Sequence, residues 1–225
     1  MGIISEKSIY VFLFLILAFM WLTFNRDIAA IYGMFLILDY IIYDMYGNSL
    51  KYKINGIVGN SLKAILFGGL AVVIFLGISY LISTFLQIAP TSGESFITHY
   101  LKIFAQTTPL LAGNKILTLI GWGLVIPIIE TRLFFGRLFD LLVNSTNTST
   151  TSINPRLLIV IGVISTLFTY FHFSVRGLSD NVALMGTFIF AAMSLSLVYY
   201  LKELESAQYF HVFWNSYLTY KNLFI

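Results

Sequence analysis

The sequence predicts an all-α bundle of membrane-spanning helices, and three observations predict it. Of 225 residues, 58% are hydrophobic, against roughly 45–50% in a soluble domain. Only 10% are charged, where about 25% is usual. The apolar residues gather in seven long runs separated by polar segments. Thirteen basic and ten acidic side chains cannot coat a globule of this size in water, so most of its surface must face lipid. Every backbone polar group in lipid needs a partner within the protein, which makes apolar runs of this length helices. The net charge of +3 is scattered between the runs, where it reads as a topology signal and offers no face to nucleic acid. Cysteine is absent, which excludes disulfides, thiolate metal sites and a Cys nucleophile.

The first run, 9–24, follows Lys7 and lacks a small-residue cleavage pattern, as expected of an uncleaved span. Its rise of roughly 24 Å falls short of the hydrocarbon core, so Tyr10 and Trp21 are read as interfacial anchors. Asn25-Arg26-Asp27 turns the chain into a second run over 28–46, and a third covers 62–88 with Gly68, Gly69 and Gly77 allowing close helix approach. Between them lies a polar segment with a short echo, Gly47-Asn48-Ser49-Leu50-Lys51 and Gly59-Asn60-Ser61-Leu62-Lys63. Residues 90–114 are less apolar, and Phe96, Tyr100, Ile103 and Phe104 at helical spacing predict an interfacial helix. The fourth run, 116–143, would be about 42 Å long as a helix, so it is expected to tilt, kink at Pro127 or project. A Ser/Thr/Asn segment follows, with acceptor-type triplets at Asn144 and Asn147. The fifth run is 157–173, introduced by Pro155; the sixth is 182–201 and the seventh 209–225. Two regions result: 1–115, with three spans and the interfacial segment, and 116–225, with four spans. Counting Lys7, Lys51, Lys53, Lys63, Arg137, Arg156 and Lys202 on one side against Arg26, Lys102, Lys115, Arg176 and Lys221 on the other gives seven to five, favouring a multi-pass protein with its N-terminus inside.

An ionisable group at the bilayer centre costs at least about 2.5–3.5 kcal/mol, so charges inside apolar runs point to function. Glu130 and Arg132 lie in the fourth run, His172 near the end of the fifth, and His211 and Asn215 in the seventh. Asp39 and Asp44 lie toward the end of the second and are read as residues wetted at the interface. His-Glu-x-x-His, Gly-x-Ser-Gly and Gly-x-Gly-Asp are all missing, which removes the zinc, serine and aspartyl intramembrane proteases that use them. What remains is a carboxylate on one helix, a His on a second, and on a third a His and an Asn four apart on one face.

These residues resemble the CPBP family (CAAX prenyl protease and bacteriocin-processing, or Abi, intramembrane proteases), whose motifs run Glu-Glu-x-x-x-Arg, Phe-x-x-x-His and His-x-x-x-Asn/Asp, each on its own helix. Phe168-Thr169-Tyr170-Phe171-His172 matches the second and His211-Val212-Phe213-Trp214-Asn215 the third. Glu130-Thr131-Arg132-Leu133-Phe134-Phe135 keeps the leading Glu, with Thr131 at the second Glu and Phe135 at the Arg.

The resemblance implies hydrolysis of a peptide bond, in a peptide or membrane-protein substrate within the lipid bilayer, with Glu130, His172, His211 and Asn215 as catalytic residues. Glu130 would act as general base on a water positioned by His172, and His211 with Asn215 would stabilise the oxyanion. The family has been described both as glutamate-dependent and as metal-dependent. Two His and one Glu can supply a three-ligand zinc site, so zinc stays compatible with the sequence but is not required by it. The competing reading is a catalytically silent scaffold or complex subunit in which the same residues form a buried polar cluster.

Overall fold

The computed structural model describes residues 6–23, 26–46, 62–85, 96–107, 114–145, 155–174, 177–178 and 180–225. Among these the chain forms eight helices and no strand. They are α1 (Glu6–Thr23), α2 (Arg26–Tyr46), α3 (Leu62–Phe85), α4 (Phe96–Thr107), α5 (115–145), α6 (Pro155–Ser174), α7 (Asn181–Leu201) and α8 (Glu205–Phe224). The Gly/Asn/Ser/Lys echo lies almost wholly outside the described residues, as does most of the segment with the two acceptor-type triplets.

Of the seven runs, five give helices long and apolar enough to cross a membrane: α2, α3, α5, α6 and α7. The first offers a shorter apolar stretch, Tyr10–Phe19. The seventh is too polar by composition, because α8 turns Gln208, His211, Asn215 and Thr219 inward rather than to lipid. α1, α3 and α6 carry exposed apolar stripes, among them Val11, Leu15, Phe19, Leu66, Leu70, Val73, Ile159 and Val163. These are the lipid-facing side of a membrane protein.

Central to the bundle is α5, buried over most of its length. Asn114 starts it, its side chain accepting from the N–H groups of Ile116 (2.9 Å) and Leu117 (3.1 Å). Pro127 neither breaks it nor ends it. The backbone widens into π-type turns over Gly121–Val125 and again over Thr131–Leu138, a local geometry frequent at functional sites. Ile126 N–H turns to the Gly121 carbonyl and Pro127 has no N–H, so the Trp122 carbonyl takes a donor from α8, the Asn215 amide at 3.4 Å. Ser216 Oγ likewise donates to the Gly123 carbonyl (2.9 Å). Gly123 permits this approach: a Cβ there would lie 3.0 Å from Ser216 Oγ.

On its other side α8 packs against α3 through Gly68, where a Cβ would meet the Tyr209 Cβ at 2.5 Å and the Phe210 nitrogen at 2.8 Å. Small residues bring helix backbones together in lipid, as the sequence predicts for this run. One hydrophobic core extends from α1 to α8.

Two expectations are corrected here. Asp39 is not wetted at an interface: it is fully buried and takes hydrogen bonds from Tyr10 (2.7 Å), Arg132 (3.1 Å) and Arg137 (2.9 Å), whereas Asp44 is exposed. Arg137 is therefore not a loop charge, which leaves six basic residues against five and reduces the charge bias for N-inside to a single residue.

Candidate functional site

The site is built where α2, α5 and α8 meet, with α6 alongside. Glu130 is fully buried at the seam between a short α-helical stretch and the second wide turn of α5. Tyr32 of α2 donates to Glu130 Oε1 at 2.5 Å. Glu130 Oε2 lies 3.4 Å from His211 Nε2 of α8, within ion-pair range. His211 Nδ1 lies 2.9 Å from Thr131 Oγ1. With a carboxylate facing Nε2, the neutral imidazole carries its proton there and accepts from the Thr131 hydroxyl at Nδ1. Thr131, at the position where the resembling family has its second Glu, thus serves the histidine rather than the water.

His172 is held from its own helix, its Nδ1 2.8 Å from the Phe168 carbonyl. A carbonyl can only accept, so this nitrogen bears the proton and the neutral ring keeps Nε2 as an acceptor. The Phe168 ring separates the two imidazoles, 4.4 Å from His172 and 6.0 Å from His211 between centroids. Phe135, fully buried, packs on Phe168 with centroids 5.0 Å apart. An arginine there would have to sit among aromatic rings.

His172, His211 and Asn215 line a cavity of about 30 Å³, room for a water or two. Its remaining walls are largely apolar, among them Tyr100 and Phe104 of α4 and Trp214. Tyr100 hydrogen-bonds with Thr187 of α7 (3.1 Å), and His99 lies 3.0 Å from Asp180 at the start of α7, so α4 is tied across the cavity. Glu130 is not one of its walls and meets it through His211.

Three of the four sequence-predicted residues therefore share a cavity, and the fourth touches one of the three. Among the described residues no three His, Asp or Glu side chains converge to hold a metal ion. His172 Nδ1 faces a backbone carbonyl and His211 is contacted at both nitrogens, so these residues do not fit a zinc site as arranged. Sequence reasoning missed Tyr32 and Asp39. The signal for Asp39 was its depth in the second run; for Tyr32 there was none, since tyrosine is ordinary in such helices. Compared with known protein families, curated proteins and solved structures, the chain matches none.

Proposed function

We propose that the protein hydrolyses peptide bonds within the membrane, as its resemblance to the CPBP proteases implies. The observation that carries this reading is the buried Glu130–His211 couple beside a small cavity lined by His172, His211 and Asn215. A carboxylate, two imidazoles and an amide drawn from three helices are the groups needed to activate water and receive an oxyanion.

In the proposed reaction the 3.4 Å Glu130–His211 contact opens to admit water from the cavity; Glu130 takes one proton from that water, whose other hydrogen is donated to His172 Nε2. The activated water attacks the peptide carbonyl. As its oxygen becomes negative, Asn215 donates to it; one amide hydrogen faces Trp122 and the second remains for this task. His211, its Nε2–H freed from Glu130 by that opening, donates to the same oxygen. Glu130 then returns its proton to the departing amine, which gives the two product peptides. Losing one oxyanion donor typically costs about 10²–10³ in rate.

A second reading is supported by the hydrogen bonds of Asn215 to Trp122 and of His172 to Phe168, which hold helices and rings whether or not chemistry follows. In that reading the cluster serves packing alone. One experiment separates them: purified protein in phosphatidylcholine vesicles, incubated with a library of quenched-fluorescent hydrophobic peptides. Cleavage that disappears in Glu130→Gln, with the variant's thermal unfolding unchanged, supports the peptidase. Cleavage equal in both proteins, or absent from both, supports the silent cluster.

A further inference from the structure

Two polar rungs join α2 to α5, and both span the same interval of sequence. Tyr32 donates to Glu130 and Arg137 Nε donates to Asp39, each pair 98 positions apart. Tyr32 and Asp39 are one heptad apart on α2, as Glu130 and Arg137 are on α5. The two helices therefore run parallel in the fixed register of a coiled-coil seam. Between the rungs Phe35 packs edge-on against Phe134, centroids 5.5 Å apart. The upper rung is reinforced: Arg132 also donates to Asp39, and the two guanidiniums cover the rings of Tyr10 (4.9 Å) and Tyr43 (5.0 Å). Sliding α2 by one turn would break both rungs and leave carboxylates buried away from their donors, so the polar residues fix a single register.

We propose that this register makes Tyr32 a positioning residue of the site, its hydroxyl holding Oε1 of Glu130 so that Oε2 is presented to His211. The proton stays on the phenol; the oxygen bonded to Tyr32 is the spectator and the other is the working base. Asp39 acts one step further back, setting the register that brings Tyr32 within reach. The catalytic meaning of this arrangement rests on the peptidase reading, whereas the positioning itself does not.

The test is infrared spectroscopy of the purified full-length protein, with the Glu130 carboxyl band identified by its loss in Glu130→Gln. Tyr32→Phe removes one oxygen and is expected to shift and broaden that band. Tyr40→Phe, an exposed tyrosine on the same helix, leaves the band in place. If the Phe variant does not fold, 3-fluorotyrosine placed at position 32 keeps the hydroxyl, strengthens its donation and shifts the band the opposite way. A Glu130 band unmoved by whichever substitution folds overturns the proposal. On the peptide library, Tyr32→Phe is expected to lower kcat by about 10-fold or more with KM unchanged, as loss of orientation does; an unchanged kcat in an enzyme that Glu130→Gln inactivates also overturns it. Failure of the peptidase reading looks different: the band still moves in Tyr32→Phe, but no cleavage depends on Glu130.

Discussion

At Thr131 a short neutral hydroxyl stands where the resembling family carries a carboxylate, and the structure gives it a defined task at His211 Nδ1. A buried hydrogen bond of this kind contributes about 0.5–1.5 kcal/mol, and stranding its partner costs about 1–3 kcal/mol. Thr131→Val keeps the shape and removes the hydroxyl. We expect it to lose about 1–3 kcal/mol in chemical unfolding and to lower turnover on the peptide library, while Thr131→Ser retains both. Val equal to wild type in both measurements would remove Thr131 from the site. The neighbouring departure has a packing reason: Phe135 joins Phe168 and Phe190 around the two histidines, and the arginines of this segment are spent on Asp39 instead.

At the scale of the helices, α8 is held between two partners by two different kinds of small residue contact. Toward α5 it donates side-chain hydrogen bonds to the Trp122 and Gly123 carbonyls, one turn before Pro127; toward α3 it presses backbone against Gly68. Backbone atoms cannot yield as a flexible side chain can, so Gly68→Ala forces α3 and α8 apart. The expected result is a loss of about 1–3 kcal/mol, the range for overpacking, read as a lower unfolding midpoint in detergent. Gly77→Ala, with nothing within 4 Å of its added Cβ, does not lower the midpoint, since alanine is the better helix former. If both variants melt alike, the α3–α8 contact is not the tight one.

The helical elements and the lipid-facing class were legible because hydrophobic runs, caps and prolines act over a few residues. So were Glu130, His172, His211 and Asn215, since polar groups inside apolar runs are conspicuous. Tyr32 was not, and Asp39 was misjudged. Their significance comes from a register between helices 98 positions apart, and no local pattern encodes which face of one helix meets which face of another. The count of spans also changed for a non-local reason: α8 is polar on a face that only the assembled bundle hides.

For the molecule as a whole, the parallel run of α2 and α5 makes a prediction about topology. Among the described residues, α3 and α4 are the helices between them. Were both to cross, α5 would oppose α2; since it does not, α3 is expected to cross and α4 to stay on one side. That side is then expected to hold α4, the start of α7 and the end of α6, and the opposite side the starts of α6 and α8. A chain without cysteine makes this directly measurable. In sealed vesicles, Lys102→Cys and Asn181→Cys, both exposed positions, should react together with an impermeant maleimide, and Arg156→Cys should react only from the other face. Labelling of Lys102→Cys together with Arg156→Cys would contradict the parallel register.

The small cavity lies at the α4 end of the bundle, walled by Tyr100, Phe104, Leu178 and Leu218. For the proposed hydrolysis this gives the reaction a direction. Water is drawn from the compartment on that side, and the new amine and carboxylate ends, too polar to stay in lipid, are delivered back to it. A membrane segment cut here would be released asymmetrically, its freshly charged termini facing one compartment and its uncut remainder still anchored toward the other.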